Sequence, residues 1–324
     1  MRVTVTAYAR LHLGFLNLSP DLGWTYGSLG VGLDNPRTRV CAGEADSLTV
    51  TGVHADRIMR YAEHLSTVFN QTWRARLTVE EAIPEHSGLG SGTQWALAVG
   101  MALLRLHGIA VTPQKLAQIM GRGLRSGVGV ANFEGGGFIL EAGHKNNPSG
   151  NPVGPSAVIL RRAFPANWRF VIAMADAAPG LSGQAESEAF ASLDDTRAIT
   201  DMICRIVQLR LLPALVEEDI ENFGQAMSEV DQQTGLFFRT AQGGIYRDGA
   251  DLFVENLLEA GAYGVGQSSW GPCLYALVDD ANEQKVFHSA QDFMAKTGKT
   301  GQVFVVKARN AGADILEQCN NEIV

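Results

Sequence analysis

Residues 84–95 read PEHSGLGSGTQW, and they stand directly before TQWALAVGMALLRLHG (93–108), an apolar helical pattern closed by Gly108. A stretch so rich in small residues builds a poor core. It suits a backbone that must come close to something. Gly88, Gly90 and Gly92 permit positive φ and close approach. A helix start adds unpaired N–H groups and the positive end of the macrodipole. Together these make a seat for a phosphate or another anion, to which Ser91 and Thr93 add hydroxyl donors. The dipole contributes only ~0.3–1 kcal/mol when exposed, so a cationic side chain and several N–H contacts are also required. The loop has neither a GK[ST] ending nor GxGxxG spacing, and a ligand-free strand-to-helix turn is the plain alternative.

Around this loop the chain reads as a globular protein. Its 324 residues, 46% hydrophobic and 19% charged, fit one large or two medium domains. No apolar run reaches the length of a membrane span. MRVTVTAYAR at the start alternates like a strand rather than a secretion signal, so the expected location is cytoplasmic with no membrane partner. Cys41, Cys204, Cys273 and Cys319 are scattered, which disfavours a zinc site or a disulfide framework. The net charge of −8 and the absence of Lys/Arg runs disfavour nucleic acid as a partner. An anionic ligand would need basic residues gathered locally.

Strand patterns fall at 3–9, 27–33, 38–42, 47–51, 73–83, 135–143 and 156–164. Helical spacing marks 55–69, and Thr112 with Pro113 opens another helix over 112–123. The stretch 144–155 is turn-rich and a candidate lid. A strand at 168–176 opens the second half. Helical patterns follow at about 184–192, 195–212, 217–232 and 250–260, then YGVGQSSWGPCLYALVDD (263–280), a helix over 281–297 and a strand over 302–308. This order predicts an α+β protein of two domains, 1–165 and 166–324.

PEHSGLGSGTQ resembles the phosphate-loop motif of the GHMP superfamily of small-molecule kinases, P-x-x-x-G-L-G-S-S. AYARLHLGFLNL (7–18) resembles that superfamily's first motif, and GVGQSSWGPCLYAL (264–277) its C-terminal glycine motif. The resemblance spans nearly the whole chain. It implies a GHMP-kinase-like fold, with an N-terminal domain like the second domain of ribosomal protein S5 and a ferredoxin-like C-terminal domain. Many of these kinases carry a catalytic aspartate where this chain has Gly129, and a lysine where it has Arg10. A kinase must orient or deprotonate its acceptor hydroxyl, and Glu134, the nearest carboxylate, lies off the matching position. Phosphoryl transfer by an ATP-dependent small-molecule kinase is therefore the second reading. A binder that kept only the phosphate seat is the third.

The details GLGSGTQ, RLHLG, FEGGGF and GQSSWGP resemble one non-kinase branch, the β-ribofuranosylaminobenzene 5′-phosphate synthases of tetrahydromethanopterin biosynthesis. That resemblance implies a decarboxylating phosphoribosyltransferase acting on phosphoribosyl pyrophosphate (PRPP) and 4-aminobenzoate. It implies release of CO2 and pyrophosphate, Mg2+ carried by PRPP, no pyridoxal phosphate, and a homodimer. Arg10, His12 and His86 become the candidate catalytic residues. Ser87, Gly88, Leu89, Gly90, Ser91, Gly92, Thr93, Gln94, Arg125, Gln267, Ser268, Ser269 and Trp270 become the candidate substrate- and phosphate-binding residues, and no protein metal ligand is expected. Each has an ordinary alternative: Arg10 a solvated strand end, His12 a satisfied core histidine, His86 an exposed loop side chain, Arg122 and Arg125 complements to a helix dipole. Trp95 reads as core, and Asn17 and Asp34 as weaker candidates for ribose or metal contacts.

Overall fold

A computed structural model describes residues 1–146, 154–176, 183–191, 193 and 196–318. The chain opens with β1 (Arg2–Asn17), β2 (Trp24–Glu44), β3 (Thr49–Gly52), α1 (Ala55–Phe69), β4 (Ala75–Glu81), α2 (Ser91–Leu106), α3 (Pro113–Ile119), α4 (Val128–Gly135), β5 (Phe138–Glu141), β6 (His144–Lys145) and β7 (Val158–Arg162). It continues with β8 (Arg169–Ala175), α5 (Gly183–Ala191), α6 (Arg197–Ile206), α7 (Leu212–Glu217), α8 (Ile220–Phe237), α9 (Arg239–Gln242), α10 (Asp251–Glu259), β9 (Gly264–Gln267), β10 (Cys273–Val278), α11 (Glu283–Lys296), β11 (Gly301–Lys307) and β12 (Asp314–Gln318). Of the candidate lid at 144–155, residues 147–153 lie outside the described residues, as does Cys319. Among the described residues no helix is long and apolar enough to cross a membrane.

Local chemistry sets several of these boundaries. Thr112 Oγ1 accepts from the Lys115 N–H at 3.2 Å and Pro113 follows it, the two devices that open α3. Asp219 caps α8 by accepting from the Asn222 N–H at 3.0 Å. Ile58, Ala62 and Leu65 form the buried stripe of α1. The segments expected as separate strands at 27–33 and 38–42 run as one, β2, which hydrogen-bonds β1, β4, β5 and β6 along its length. Residues 128–135 carry no helical signal, yet they form α4. Val128 to Phe133 are all buried there, so packing overrides the weak propensity of the glycines.

Two sheets result. The first runs β12-β1-β2-β4-β3, with β5, β6 and β7 branching from β2 and from each other. The second runs β11-β8-β10-β9 and is antiparallel throughout, with α11 between β10 and β11, a ferredoxin-like order. The α+β class expected from the sequence is observed. One element changes sides: residues 314–318, placed by the sequence pattern in the second half, pair with β1 in the first sheet (Val3 opposite Glu317, Val5 opposite Ile315).

Among the described residues three large cores and a small cluster of Val128, Ala131 and Ile139 hold this together. Trp73, Leu97, Leu104 and their neighbours fill the space between the first sheet and α1–α2. Leu11, Leu13 and Val31 from the first sheet share a second core with Trp168, Phe170 and Phe223 from the second half. The far face of the second sheet packs on α10 and α11 through Val265, Leu257 and Val286. The shared middle core fixes the two sheets against each other, and the glycine loop sits where they meet.

Candidate active site

The loop between β4 and α2 is wound by residues in the left-handed region: His86 (φ 55°), Gly88 (φ 87°) and Gly90 (φ 83°). Ser87 braces it, donating to the Pro84 carbonyl at 2.8 Å and accepting from the Leu89 N–H at 3.4 Å. The Leu89 side chain is fully buried in the middle core. Gly90 caps α2 without a side-chain hydrogen bond and its carbonyl takes the Thr93 and Gln94 N–H groups, which leaves those of Ser91 and Gly92 to whatever occupies the space before them. Gly88 serves a different purpose from ligand approach. A Cβ there would overlap the Ser268 carbonyl, and one on Gly271 would overlap the backbone of Ser87 and Gly88, so the loop and the β9–β10 turn lie backbone against backbone.

Ser268 ties the two. Its buried hydroxyl donates to the Gly88 carbonyl at 2.8 Å and accepts from the His12 N–H at 3.0 Å. Arg10, at the middle of β1, passes beneath the loop. Its Nη1 donates to the Gly88 carbonyl at 2.6 Å, and its guanidinium would stand 3.3 Å from a Cβ on Gly90. Burial pushes its pKa down to about 10, so it keeps its charge at neutral pH.

These elements wall a cleft of about 420 Å³. On one side stand Gly90, Ser91, Gly92 and Thr93; on the other, Ser269, Trp270 and Gly271 from the β9–β10 turn; His86 lies at the loop. Three guanidinium groups face in: Arg10, Arg57 and Arg122. Arg57 Nε and Arg122 Nη2 both donate to the Tyr61 hydroxyl, at 3.1 and 3.0 Å, and so are held side by side. A Cβ on Gly92 would stand 3.3 Å from Arg57 and 3.6 Å from Arg122. Glu85 takes part of the Arg57 charge through an ion pair. The net effect is a cationic space at a helix N-terminus, in a chain whose overall charge is −8.

Sequence-expected residues divide by position. His86, Arg10, Gly88, Gly90, Ser91, Gly92, Thr93, Ser269 and Trp270 come together around the cleft. Ser87, Leu89 and Ser268 shape its walls from behind. Gln94 is buried and donates to the Gly129 carbonyl at 2.7 Å, joining α2 to α4. Arg125 is held by Glu186, donates to Ser187 Oγ at 2.6 Å and lies over the Phe190 ring at 4.9 Å, while Glu186 rather than Arg125 lines the cleft. Gln267 lies behind the cleft, its side chain accepting from the Arg247 N–H at 2.8 Å. His12 is buried beside it, and burial together with the nearby Arg10 charge lowers its pKa to about 3, so the ring is neutral. Trp95 is core, with its ring 4.3 Å from that of His54. Asn17 donates to the Trp24 carbonyl, and Asp34 accepts from the Lys307 N–H of β11.

Arg57 was not foreseen. In ADRIMRYAEHL it looks like any polar residue on an exposed helix face; the usable signal is Tyr61 one turn on, which holds the guanidinium inward. The kinase positions are also clear. Gly129 stands where those kinases carry the acid, and a Cβ on it would stand 3.2 Å from the Thr93 side chain, a tight contact that Thr93 would have to yield to. Glu134 is exposed and paired with Arg161 and Gln114, away from the cleft.

Residues 56–137 match the family GHMP kinases N terminal domain, and residues 211–296 match GHMP kinases C terminal. A homoserine kinase structure from Cytophaga hutchinsonii overlays with a TM-score of 0.67 at 19% identity, covering 97% of each chain. A mevalonate diphosphate decarboxylase structure from Staphylococcus aureus overlays with a TM-score of 0.66 at 15% identity, covering 98% of each. At such identities these share the fold. In sequence, the chain is 31% identical to the beta-ribofuranosylphenol 5'-phosphate synthase of Methanothermobacter thermautotrophicus, over 98% of this chain and 99% of that one. It is 31% identical to the protein of that name from Archaeoglobus fulgidus, over 95% and 97%. The chain therefore has the GHMP fold and belongs to the family of the beta-ribofuranosylphenol 5'-phosphate synthases.

Proposed function

We propose that this protein is a decarboxylating phosphoribosyltransferase that joins the ribose 5-phosphate of PRPP to a benzoate carrying a para amino or hydroxyl group. The observation that carries the reading is the cleft of three guanidinium groups at the start of α2, beside an α4 that has Gly129 in place of a kinase acid. PRPP is polyanionic at both ends, and the cleft is large enough for it. The relatives' name, a ribofuranosylphenol 5'-phosphate, describes the kind of product this reaction makes from a hydroxybenzoate. An amino group gives the aminobenzene counterpart.

In this reaction the C1–O bond of PRPP breaks and pyrophosphate leaves with the electron pair. The ring carbon bearing the carboxylate bonds to C1, and the bond to CO2 then breaks, returning its electrons to the ring. Arg10, Arg57 and Arg122 stabilise the charge that grows on the leaving oxygens, with the first N–H groups of α2. In comparable sites one such donor is worth roughly 10²–10³ in kcat. Arg10 is preorganised for this, since its bond to the Gly88 carbonyl fixes it before substrate arrives. The para amino or hydroxyl group supplies the electron push into the ring. The carboxylate nearest the substrate space, Glu186, is ion-paired with Arg125, and Glu85 with Arg57, so these residues do not form a cage for Mg2+. A metal ion would travel with PRPP, and no step is assigned to it.

The test is release of labelled CO2 from carboxyl-labelled 4-aminobenzoate and 4-hydroxybenzoate with PRPP and Mg2+, against a parallel reaction with ATP. Release with PRPP alone is expected. Its absence with folded protein would overturn the reading, and phosphorylation of a small alcohol by ATP would replace it with a kinase.

A further inference from the structure

Behind the cleft lies a small chamber to which the chemistry above gives no role. Its space is about 30 Å³, the order of one water molecule. β1 contributes His12 and Phe15, and α8 contributes Thr234; Ser269 and Trp270 line both the chamber and the cleft, so the two spaces share a wall. The sides are aromatic: Phe15 lies 6.2 Å from Phe238, whose ring meets that of Trp270 edge to face at 4.5 Å. In this chamber two buried polar atoms, His12 Nε2 and Thr234 Oγ1, have no hydrogen-bond partner. Buried polar atoms left in that state are uncommon and call for a partner. The Asp231 carboxyl in the same chamber shares the Gln267 N–H between its two oxygens at 3.1 Å and accepts from the Tyr275 hydroxyl at 3.4 Å. Gly14 lets the strand and helix come this close, since a Cβ on it would stand 2.6 Å from Thr234 Oγ1.

We propose that this chamber receives the para substituent of the aromatic acid, with His12 Nε2 and Thr234 Oγ1 hydrogen-bonding its hydroxyl or amino group. The inference rests on the transferase reading, because that reaction fixes the direction of the ring. The carbon bearing the carboxylate must reach C1 of the ribose in the cleft, so the para position points away from it, towards the shared wall and the chamber. A hydroxyl or amino group is the size of the water the chamber can hold. The Nε2 lone pair of the neutral imidazole accepts a hydrogen bond from the substituent, and the threonine hydroxyl donates or accepts as the substituent requires. The aromatic walls take the adjoining edge of the ring. His12 and Thr234 are thus specificity-determining residues rather than acids or bases.

The test compares binding of 4-hydroxybenzoate, 4-aminobenzoate and 4-methylbenzoate, by calorimetry with PRPP present, in wild type and in Thr234→Val, Thr234→Ser and His12→Phe. Wild type should prefer the polar acids over the methyl analogue by about tenfold or more, as sites built to hydrogen-bond a substrate group do. Thr234→Val, and His12→Phe where it folds, should cut that preference by about threefold or more. Thr234→Ser should retain it, and the KM for PRPP should stay within about twofold in all of them. Turnover by wild type with a preference that Thr234→Val leaves unchanged would overturn the chamber and leave the transferase standing. Preferential binding lost in Thr234→Val, but no CO2 from wild type with PRPP, would overturn the transferase and leave the chamber standing.

Discussion

Replacing Asp231 with asparagine should stabilise the protein increasingly as pH rises. The carboxyl lies buried in α8 beneath the β9–β10 turn, where burial raises its pKa from 3.8 to about 8; the Gln267 N–H and the Tyr275 hydroxyl pull it only part of the way back. In the unfolded chain the group is ionised above about pH 4, so folding takes up a proton. A raised acid contributes its full stability below its unfolded pKa and loses it as pH climbs through the folded one. Each tenfold change in the acid constant is worth about 1.4 kcal/mol, so between pH 5 and pH 8 the folded state loses about 3–4 kcal/mol from this group. Asparagine keeps the shape, accepts at Oδ1 and has no proton to bind. Part of the gain is lost to the buried amide, which costs ~1–3 kcal/mol where its own hydrogen bonds are incomplete. The assay is urea unfolding of wild type and Asp231→Asn across that pH range. The difference in unfolding free energy, variant minus wild type, should grow by about 3–4 kcal/mol from the acid end to the alkaline end. A difference that stays flat would mean that Asp231 titrates as an ordinary surface aspartate, and the burial argument would be wrong.

Other positions give sharper readouts of function or packing. Arg122→Gln removes one cleft charge and should lower kcat/KM for PRPP by about 10–100-fold, the worth of a hydrogen bond to a charged group, with little change in melting temperature; an unchanged KM and kcat would remove Arg122 from the site. Ser268→Ala leaves the His12 N–H buried without its partner and the Gly88 carbonyl with Arg10 alone, a loss of about 1–3 kcal/mol that calorimetric melting would register alongside a raised KM for PRPP. Glu141→Leu removes the acceptor of the Ser28 and Ser156 hydroxyls and of the Gly127 N–H, leaving Ser28 only its bond with Ser126. It should cost about 2–4 kcal/mol, and a melting temperature equal to wild type would show that those groups find water instead.

What the sequence could disclose was local. The helix start after GLGSG, the Thr112–Pro113 opening of α3 and the apolar stripe of α1 each depend on residues within a turn or two. The glycines were legible as unusual, but their division of labour was not. Gly88 is glycine because the Ser268 carbonyl, 180 positions away, occupies the place of its Cβ. The same holds for Gln94, a motif residue whose partner is the Gly129 carbonyl on α4 rather than an anion. Arg57 carried no motif at all, and only the packing of α1 beside α2 brings it to the cleft. The turn into β12 was illegible because DILEQ is a weak strand pattern by itself; its place comes from the partner that β1 offers.

That pairing has a consequence for the order of synthesis. β1 is bounded by β2 on one flank and β12 on the other. The first partner leaves the ribosome within seconds of β1. The second lies about three hundred residues later, on the order of 15–60 s at roughly 5–20 residues per second. For that interval an alternating strand shows a row of unpaired backbone groups, the template on which wrong partners add. Nascent chains of this protein therefore carry an open edge on β1 until residues 314–318 emerge, and β12 then acts as its cover.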